Sequence, residues 1–125
     1  MFETKDSGKR EQFSTGMQRD TNEGKIRYDL MFLKSIKVPM IQRYAELLTR
    51  GAIKYEERNF EKAETQEELD RFKESAIRHF FQWMNNEEDE DHASAIWFNI
   101  EGAEMIKQKL KDKLSTDMKI FAITH

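Results

Sequence analysis

The chain has 125 residues, of which 38% are hydrophobic and 36% charged, with a net charge of −3. That length suggests one domain, and so polar a balance fits a thin helical protein or one that hides further surface in an oligomer. Cysteine is absent, which excludes disulfides and thiolate metal sites.

The N-terminal stretch "MFETKDSGKREQF" has no apolar region of the secretory type. No segment approaches the roughly 18 apolar residues of a membrane span, so a cytoplasmic protein that engages no membrane is expected. Charge is unevenly spread: residues 1–62 hold thirteen Lys/Arg against ten Asp/Glu, and residues 63–91 hold three against ten. An acidic middle disfavours a nucleic-acid polymer as partner, which requires a net positive face. It suits a site holding a divalent cation on one side and phosphates on the other.

Residues 1–30 lack helical periodicity and read as an irregular arm, with turns near Asp20–Gly24. Arg19, Lys25 and Arg27 stand among glycines there. The arm is either a solvated tail or a phosphate-gripping flap, since Arg offers forked donors and Gly lets the backbone approach.

Val38–Pro39 opens the first helix. Ile41, Tyr44, Ala45, Leu48, Ala52 and Tyr55 follow the 3.6-residue rhythm, with Arg43, Glu46, Arg50 and Lys54 toward the other side. Gly51 falls inside the pattern, where either a partner helix packs closely or the helix breaks. "EERNFEKAETQEE" reads as a polar loop or a frayed helix end. The second helix is expected from about Gln66 to Met84, with an apolar stripe of Phe72, Ala76, Ile77, Phe80, Trp83 and Met84. Ser75, His79 and Gln82 lie on its flank, and Arg78 is expected to pair with Glu74.

The third helix is expected from near Glu90 to as far as Lys113, with Ala93, Ile96, Trp97 and Ile100 buried. Asp91, His92, Ala95 and Asn99 share another face, joined by Glu88 if the helix starts early. "MKIFAITH" reads as a short strand or a docking tail. One domain is expected over 1–125, with the arm at 1–30, a helical core at 38–113 and a tail at 114–125. The fold class expected is all-α, an antiparallel helical bundle whose aromatic stripes imply a core completed by oligomerisation.

The unbroken acids Glu87 to Asp91 admit two readings. Acids before a helix are commonly solvated charges favoured by the helix dipole. The alternative is a divalent-metal site: Mg²⁺ prefers hard oxygen ligands, and Glu88 and Asp91, three apart, can aim at one ion from one helical turn. His92 and Asn99 on the same face could hold a water or contact a base. His79 is either a hydrogen-bonded structural histidine or a ligand or phosphate contact.

Four ordered blocks carry a resemblance: "STGMQRD…GKIRYDL", "RGAIKYEERNF", "SAIRHFFQW" and "DEDHASAIWFN". Together they make residues 10–105 similar to the phage and bacterial dATP/dGTP diphosphohydrolase N-terminal-type domain, which is related to the all-α, MazG-like nucleoside triphosphate pyrophosphohydrolases. The resemblance implies a helical homo-oligomer, dimer or tetramer, that uses Mg²⁺ or Mn²⁺. It implies cleavage of a purine (deoxy)nucleoside triphosphate to monophosphate and pyrophosphate.

On matching positions, Arg19, Lys25, Arg27 and Lys54 become phosphate contacts. Tyr55, Asn59, Phe60 and Asn99 become base contacts. Glu88, Asp91, His92 and His79 become the catalytic group, with Glu87, Glu88 and Asp91 as metal ligands. Relatives tend to carry glycine where this chain has Glu56 and tryptophan where it has Phe60. Their first acidic element has Glu46, Glu57 and Glu74 as candidates here.

Overall fold

A computed structural model describes every residue from Met1 to His125. The chain divides into two compact units, Met1–Ser35 and Ile36–His125.

The first unit is not wholly irregular. Strands β1 (Arg10–Gln12) and β2 (Gln18–Asp20) pair antiparallel, with Glu11 opposite Arg19. The turn between them is closed by the Gly16 N–H donating to the Phe13 carbonyl, and Gly16 sits at φ +89°, a conformation only glycine adopts freely. Asp20 accepts a hydrogen bond from the Ser7 hydroxyl, and that bond chiefly holds its pKa below the usual carboxylate range. The expected turn is present, with the Lys25 N–H donating to the Asn22 carbonyl and Gly24 at positive φ. A single 3₁₀ turn, Tyr28–Met31, follows.

The second unit is built from α1 (Met40–Lys54), α2 (Gln66–Met84) and α3 (His92–Thr124), with a 3₁₀ turn at Asn59–Lys62. Pro39 caps α1, where its missing N–H is no loss. Thr65 and Glu68 start α2 with a reciprocal capping box: Thr65 Oγ1 accepts from the Glu68 N–H, and the Glu68 carboxylate accepts from the Thr65 N–H. The Glu68 carboxylate also accepts from the Glu64 N–H, and that bond first, with those from the Thr65 hydroxyl and N–H, holds its pKa low. Asp91 caps α3 by accepting from the Ser94 N–H at 3.1 Å.

Helices α2 and α3 run antiparallel, because contacts step backward along one as they step forward along the other. His79 meets His92, Phe72 meets Phe98, and Leu69 clusters with Ala103 and Ile106. The small core is Ala63, Leu69, Ala103 and Ile106, flanked by Phe72, Met105 and Leu110. Gly102 makes the close approach possible: a Cβ there would stand 2.5–2.8 Å from the Phe72 ring. Helix α1 packs on α3 by stacking Tyr44 against Trp97 at 4.9 Å. Lys109 spans from α3 to the 3₁₀ turn, its ammonium donating to the carbonyls of Glu61 and Ala63.

Several expectations are corrected. Helix α3 does not stop near Lys113 but continues through "MKIFAITH" to Thr124; after Gly102 nothing in the sequence breaks a helix, and Gln108–Asp112 adds an i,i+4 hydrogen bond. The α2 stripe is turned. Ile77, Phe80, Trp83 and Met84 are exposed, whereas Ser75, Ala76, His79 and Gln82 are half-buried. The reason lies in α3, whose most buried positions are small or polar: His92, Ser94, Ala95, Asn99, Gly102 and Ala103, with Ile100 outside. A helix offering a narrow, small-residue face takes a polar flank and one large ring, Phe72, in place of a row of aromatics.

On α1, Ile41, Ala45 and Tyr55 are exposed, while Arg43, expected outward, is half-buried. At Gly51 neither alternative holds: beyond the helix's own backbone nothing packs within 4 Å of a Cβ there, and the helix continues to Lys54. Glu74 pairs with Arg71 at 3.6 Å rather than with Arg78. No helix is long and apolar enough to cross a membrane.

Candidate functional site

A cleft of about 1270 Å³ opens in the second unit, between the C-terminal half of α1, the 3₁₀ segment, α2 and the start of α3. Cations enter it from Arg50, Lys54, Arg58 and Arg78; carboxylates from Glu46, Glu56, Glu57, Glu88 and Glu90; aromatic rings from Tyr55 and Phe60. Lys54 lies over the Tyr55 ring at 5.1 Å, and Phe60 packs edge-on against Phe98. Arg58 adopts the left-handed conformation, φ +59°, and pairs with Glu61.

Of the residues expected at the site, Lys54, Tyr55, Asn59, Phe60, His79, Glu88, Asp91 and Asn99 line this one cleft. Glu87 does not line it, and neither does His92, which is 2% exposed. Arg19, Lys25 and Arg27 belong to the first unit. There Arg19 lies on β2, Lys25 follows the Gly24 turn, and Arg27 makes a forked pair with Asp29 at 2.6 and 2.8 Å.

The acidic run is not helical, since α3 begins at His92, so Glu88 and Asp91 do not share a helical turn. Their environments differ sharply. Glu88 is exposed and has no hydrogen-bond or ion-pair partner. Asp91 receives both arms of the Arg43 guanidinium, Nε to Oδ2 at 2.9 Å and Nη2 to Oδ1 at 2.6 Å, and the Ser94 hydroxyl and N–H besides. Chiefly through the Arg43 hydrogen bonds, its pKa falls to about 2, so it is a carboxylate at neutral pH with its oxygens already engaged.

Behind the cleft wall two histidines meet. His79 Nδ1 lies 2.9 Å from His92 Nδ1, and His92 Nε2 lies 2.7 Å from Asp89 Oδ1. Burial, first of all, lowers the pKa of His79, so that its ring is neutral near pH 7. The hydrogen bond from His92 holds Asp89 below the usual carboxylate range. His79, Glu90 and His92 bring ligand atoms within 4.8 Å of one another. Asn99, 7% exposed, donates through Nδ2 to the Ala95 carbonyl at 2.7 Å, leaving Oδ1 toward other partners. Tyr44 is buried, and that burial first, then the Glu101 carboxylate beside its hydroxyl, raises its pKa.

Arg43 and Asp89 enter the site without having been expected there. Arg43 stands 48 positions from Asp91, and no local signal links them. Asp89 is three before His92, a spacing that brings a side chain back onto the first residue of a helix, and that signal is legible.

An all-helical unit with one cleft shared by cations, carboxylates, aromatic rings and a neutral imidazole is thus the setting. Residues 15–113 match the family described as dATP/dGTP diphosphohydrolase, N-terminal. The chain belongs to that family, whose name is that of a nucleotide hydrolase. Among curated proteins and solved structures no match is found.

Proposed function

We propose that the chain hydrolyses a (deoxy)nucleoside triphosphate, purine in base, to the nucleoside monophosphate and pyrophosphate with Mg²⁺ or Mn²⁺. The observation that carries this reading is the composition of the cleft, taken with the family to which the chain belongs. Arg50, Lys54 and Arg78 offer positive charge to a polyphosphate, the role cationic side chains play wherever phosphoryl groups transfer. Tyr55 and Phe60 offer rings against which a base can stack, and Asn59 and Asn99 offer amides to its edge.

Carboxylates suited to a hard divalent cation line the cleft. Glu88, exposed and unpaired, would hold it together with water and the phosphates of the substrate; the three side chains whose ligand atoms converge within 4.8 Å are His79, Glu90 and His92, and Asp91 is engaged by Arg43. A bound divalent ion would supply neutralisation of phosphate charge and a water acidified toward neutrality. The chain's own contribution is to gather the phosphates between its cations and to shelter a proton acceptor, His79, at the wall. The same reading includes a homo-oligomer, since Phe80, Phe81 and Trp83 leave an apolar face uncovered on α2.

The test is a panel of ribo- and deoxyribonucleoside triphosphates assayed for pyrophosphate release with Mg²⁺ or Mn²⁺. Release from purine deoxynucleotides is the expected result; release from none by a folded chain ends the reading. One observation favours a second reading, nucleotide binding without turnover: Asp91 is committed to Arg43 and Ser94. Calorimetric binding of the same nucleotides without hydrolysis would select it.

A further inference from the structure

A short turn joins α2 to α3 and brings three side chains with ligand atoms to one place. His79 comes from the second half of α2, Glu90 from the connecting segment and His92 from the first position of α3. One ligand atom from each lies within 4.8 Å of the other two. The two imidazoles face each other through Nδ1 at 2.9 Å, and neither of those nitrogens has another partner. His79 and Glu90 line the cleft, and His92 stands behind them, 2% exposed.

The separation of the rings is that of a chelating pair. Two nitrogens about 2.0–2.1 Å from one ion stand about 2.8–3.0 Å apart when they meet it at a right angle, and about 3.3–3.4 Å apart at the tetrahedral angle. The far side of His92 is furnished as metal-bound imidazoles are: Asp89 Oδ1 stands 2.7 Å from its Nε2. An outer carboxylate in that position orients the ring and turns the other nitrogen toward the ion. Glu90 is exposed, so its carboxylate can swing to the ion while the two rings stay in place. A single hydrogen shared by the rings also fits 2.9 Å, but it gives no role to the carboxylate gathered beside them.

We propose that His79, Glu90 and His92 form a site for one first-row transition dication, which takes Zn²⁺ or Co²⁺ ahead of Mg²⁺. Two imidazoles with one carboxylate are a borderline donor set, whereas Mg²⁺ takes oxygen ligands and keeps much of its water. Three protein ligands also leave coordination positions for water or for a ligand in the cleft. The site is separate from the hard-ion position given to Glu88, and it stands whether or not the cleft hydrolyses triphosphates. With the ion bound, His79 is a ligand and no longer a proton acceptor.

The full chain, stripped of metal by a chelator that is then removed, is titrated with Zn²⁺, Co²⁺ and Mg²⁺ in a calorimeter. One Zn²⁺ or Co²⁺ per chain is expected, with Mg²⁺ weaker by ~10²-fold or more. The chain has three histidines, His79, His92 and His125, so imidazole NMR signals report the position of the ion directly. Substoichiometric Co²⁺ is expected to shift or broaden the signals of His79 and His92 and to spare His125, at the far end of α3. Asp89→Asn is expected to weaken Co²⁺ binding by about 10–100-fold, Glu90→Gln by ~10-fold or more, and His79→Ala to abolish the one-to-one isotherm. Glu90 is exposed, so Glu90→Gln keeps the fold and carries the test if His79→Ala does not.

Co²⁺ that perturbs His125 alone overturns the proposal, as does Mg²⁺ bound as tightly as Zn²⁺. Absence of Zn²⁺ and Co²⁺ binding by the folded chain overturns it too, and leaves the rings sharing a hydrogen. Unchanged Co²⁺ affinity in both Asp89→Asn and Glu90→Gln has the same force. Binding lost in Glu88→Gln and retained in Glu90→Gln places the ion among the oxygen ligands instead, and also overturns it.

Discussion

Replacing Asp91 with Asn tests whether the Arg43 pair holds α1 against the start of α3. Asn keeps the shape and still caps a helix about as well as Asp, so the change isolates the charge. The folded-state pKa of about 2, against an ordinary 3.8, corresponds to nearly two units at ~1.36 kcal/mol each, or about 2.5 kcal/mol. Arg43 is 37% exposed and Asp91 21%, so solvent screens the pair and about 1–1.5 kcal/mol is the figure to expect at pH 7. A depressed carboxylate pKa adds stability that is complete above the unfolded value of 3.8 and is lost as pH falls through about 2.

Urea denaturation followed by tryptophan fluorescence is the assay, with a lower midpoint and an unchanged slope for Asp91→Asn at neutral pH. The gap between wild type and variant narrows from pH 4 downward and is lost as pH falls through about 2. Equal stability at pH 7, or a gap at pH 2 as large as at pH 7, refutes the reasoning.

Two glycines in the same unit predict opposite outcomes for one substitution. Gly102→Ala drives a methyl to 2.5 Å from the Phe72 ring and should cost about 1–3 kcal/mol; Gly51→Ala, with open space around it, should gain about 0.5–1 kcal/mol. Thermal melts of the two variants decide both. Thr65→Ala removes one half of the capping box and is expected to cost about 1 kcal/mol, read as a lower urea midpoint. Chelation of divalent ions is expected to abolish pyrophosphate release, and adding Mg²⁺ with a nucleotide should raise the melting temperature, because a ligand bound only by the native state stabilises it.

The limits of α2 were legible because punctuation marks them: Thr65 with Glu68 at one end and Asn85–Asn86 at the other, Asn86 taking positive φ. Which face of α2 turns inward was not legible. Hydrophobicity points to Phe80 and Trp83, but the choice belongs to α3, whose Ala95, Asn99 and Gly102 set how near a neighbour can come. The hairpin of the first unit escapes notice because three-residue strands are too short to show an alternation. At the cleft, the ordered blocks brought out most of the lining residues. The partner that occupies Asp91 comes from another helix, and long-range pairing of that kind leaves no trace in local spacing.

Thirty-three residues in one helix make α3 about 50 Å long. Only the part up to Leu110 is packed, and from Lys111 onward every residue is exposed. Amides near Ile106 surrender their hydrogens to deuterium only when the core comes apart, whereas those near Ile120 need no more than a brief fraying of one end. A single continuous element is therefore expected to hold both slow and fast isotope clocks, and a protease would find a foothold along those last fourteen helical residues.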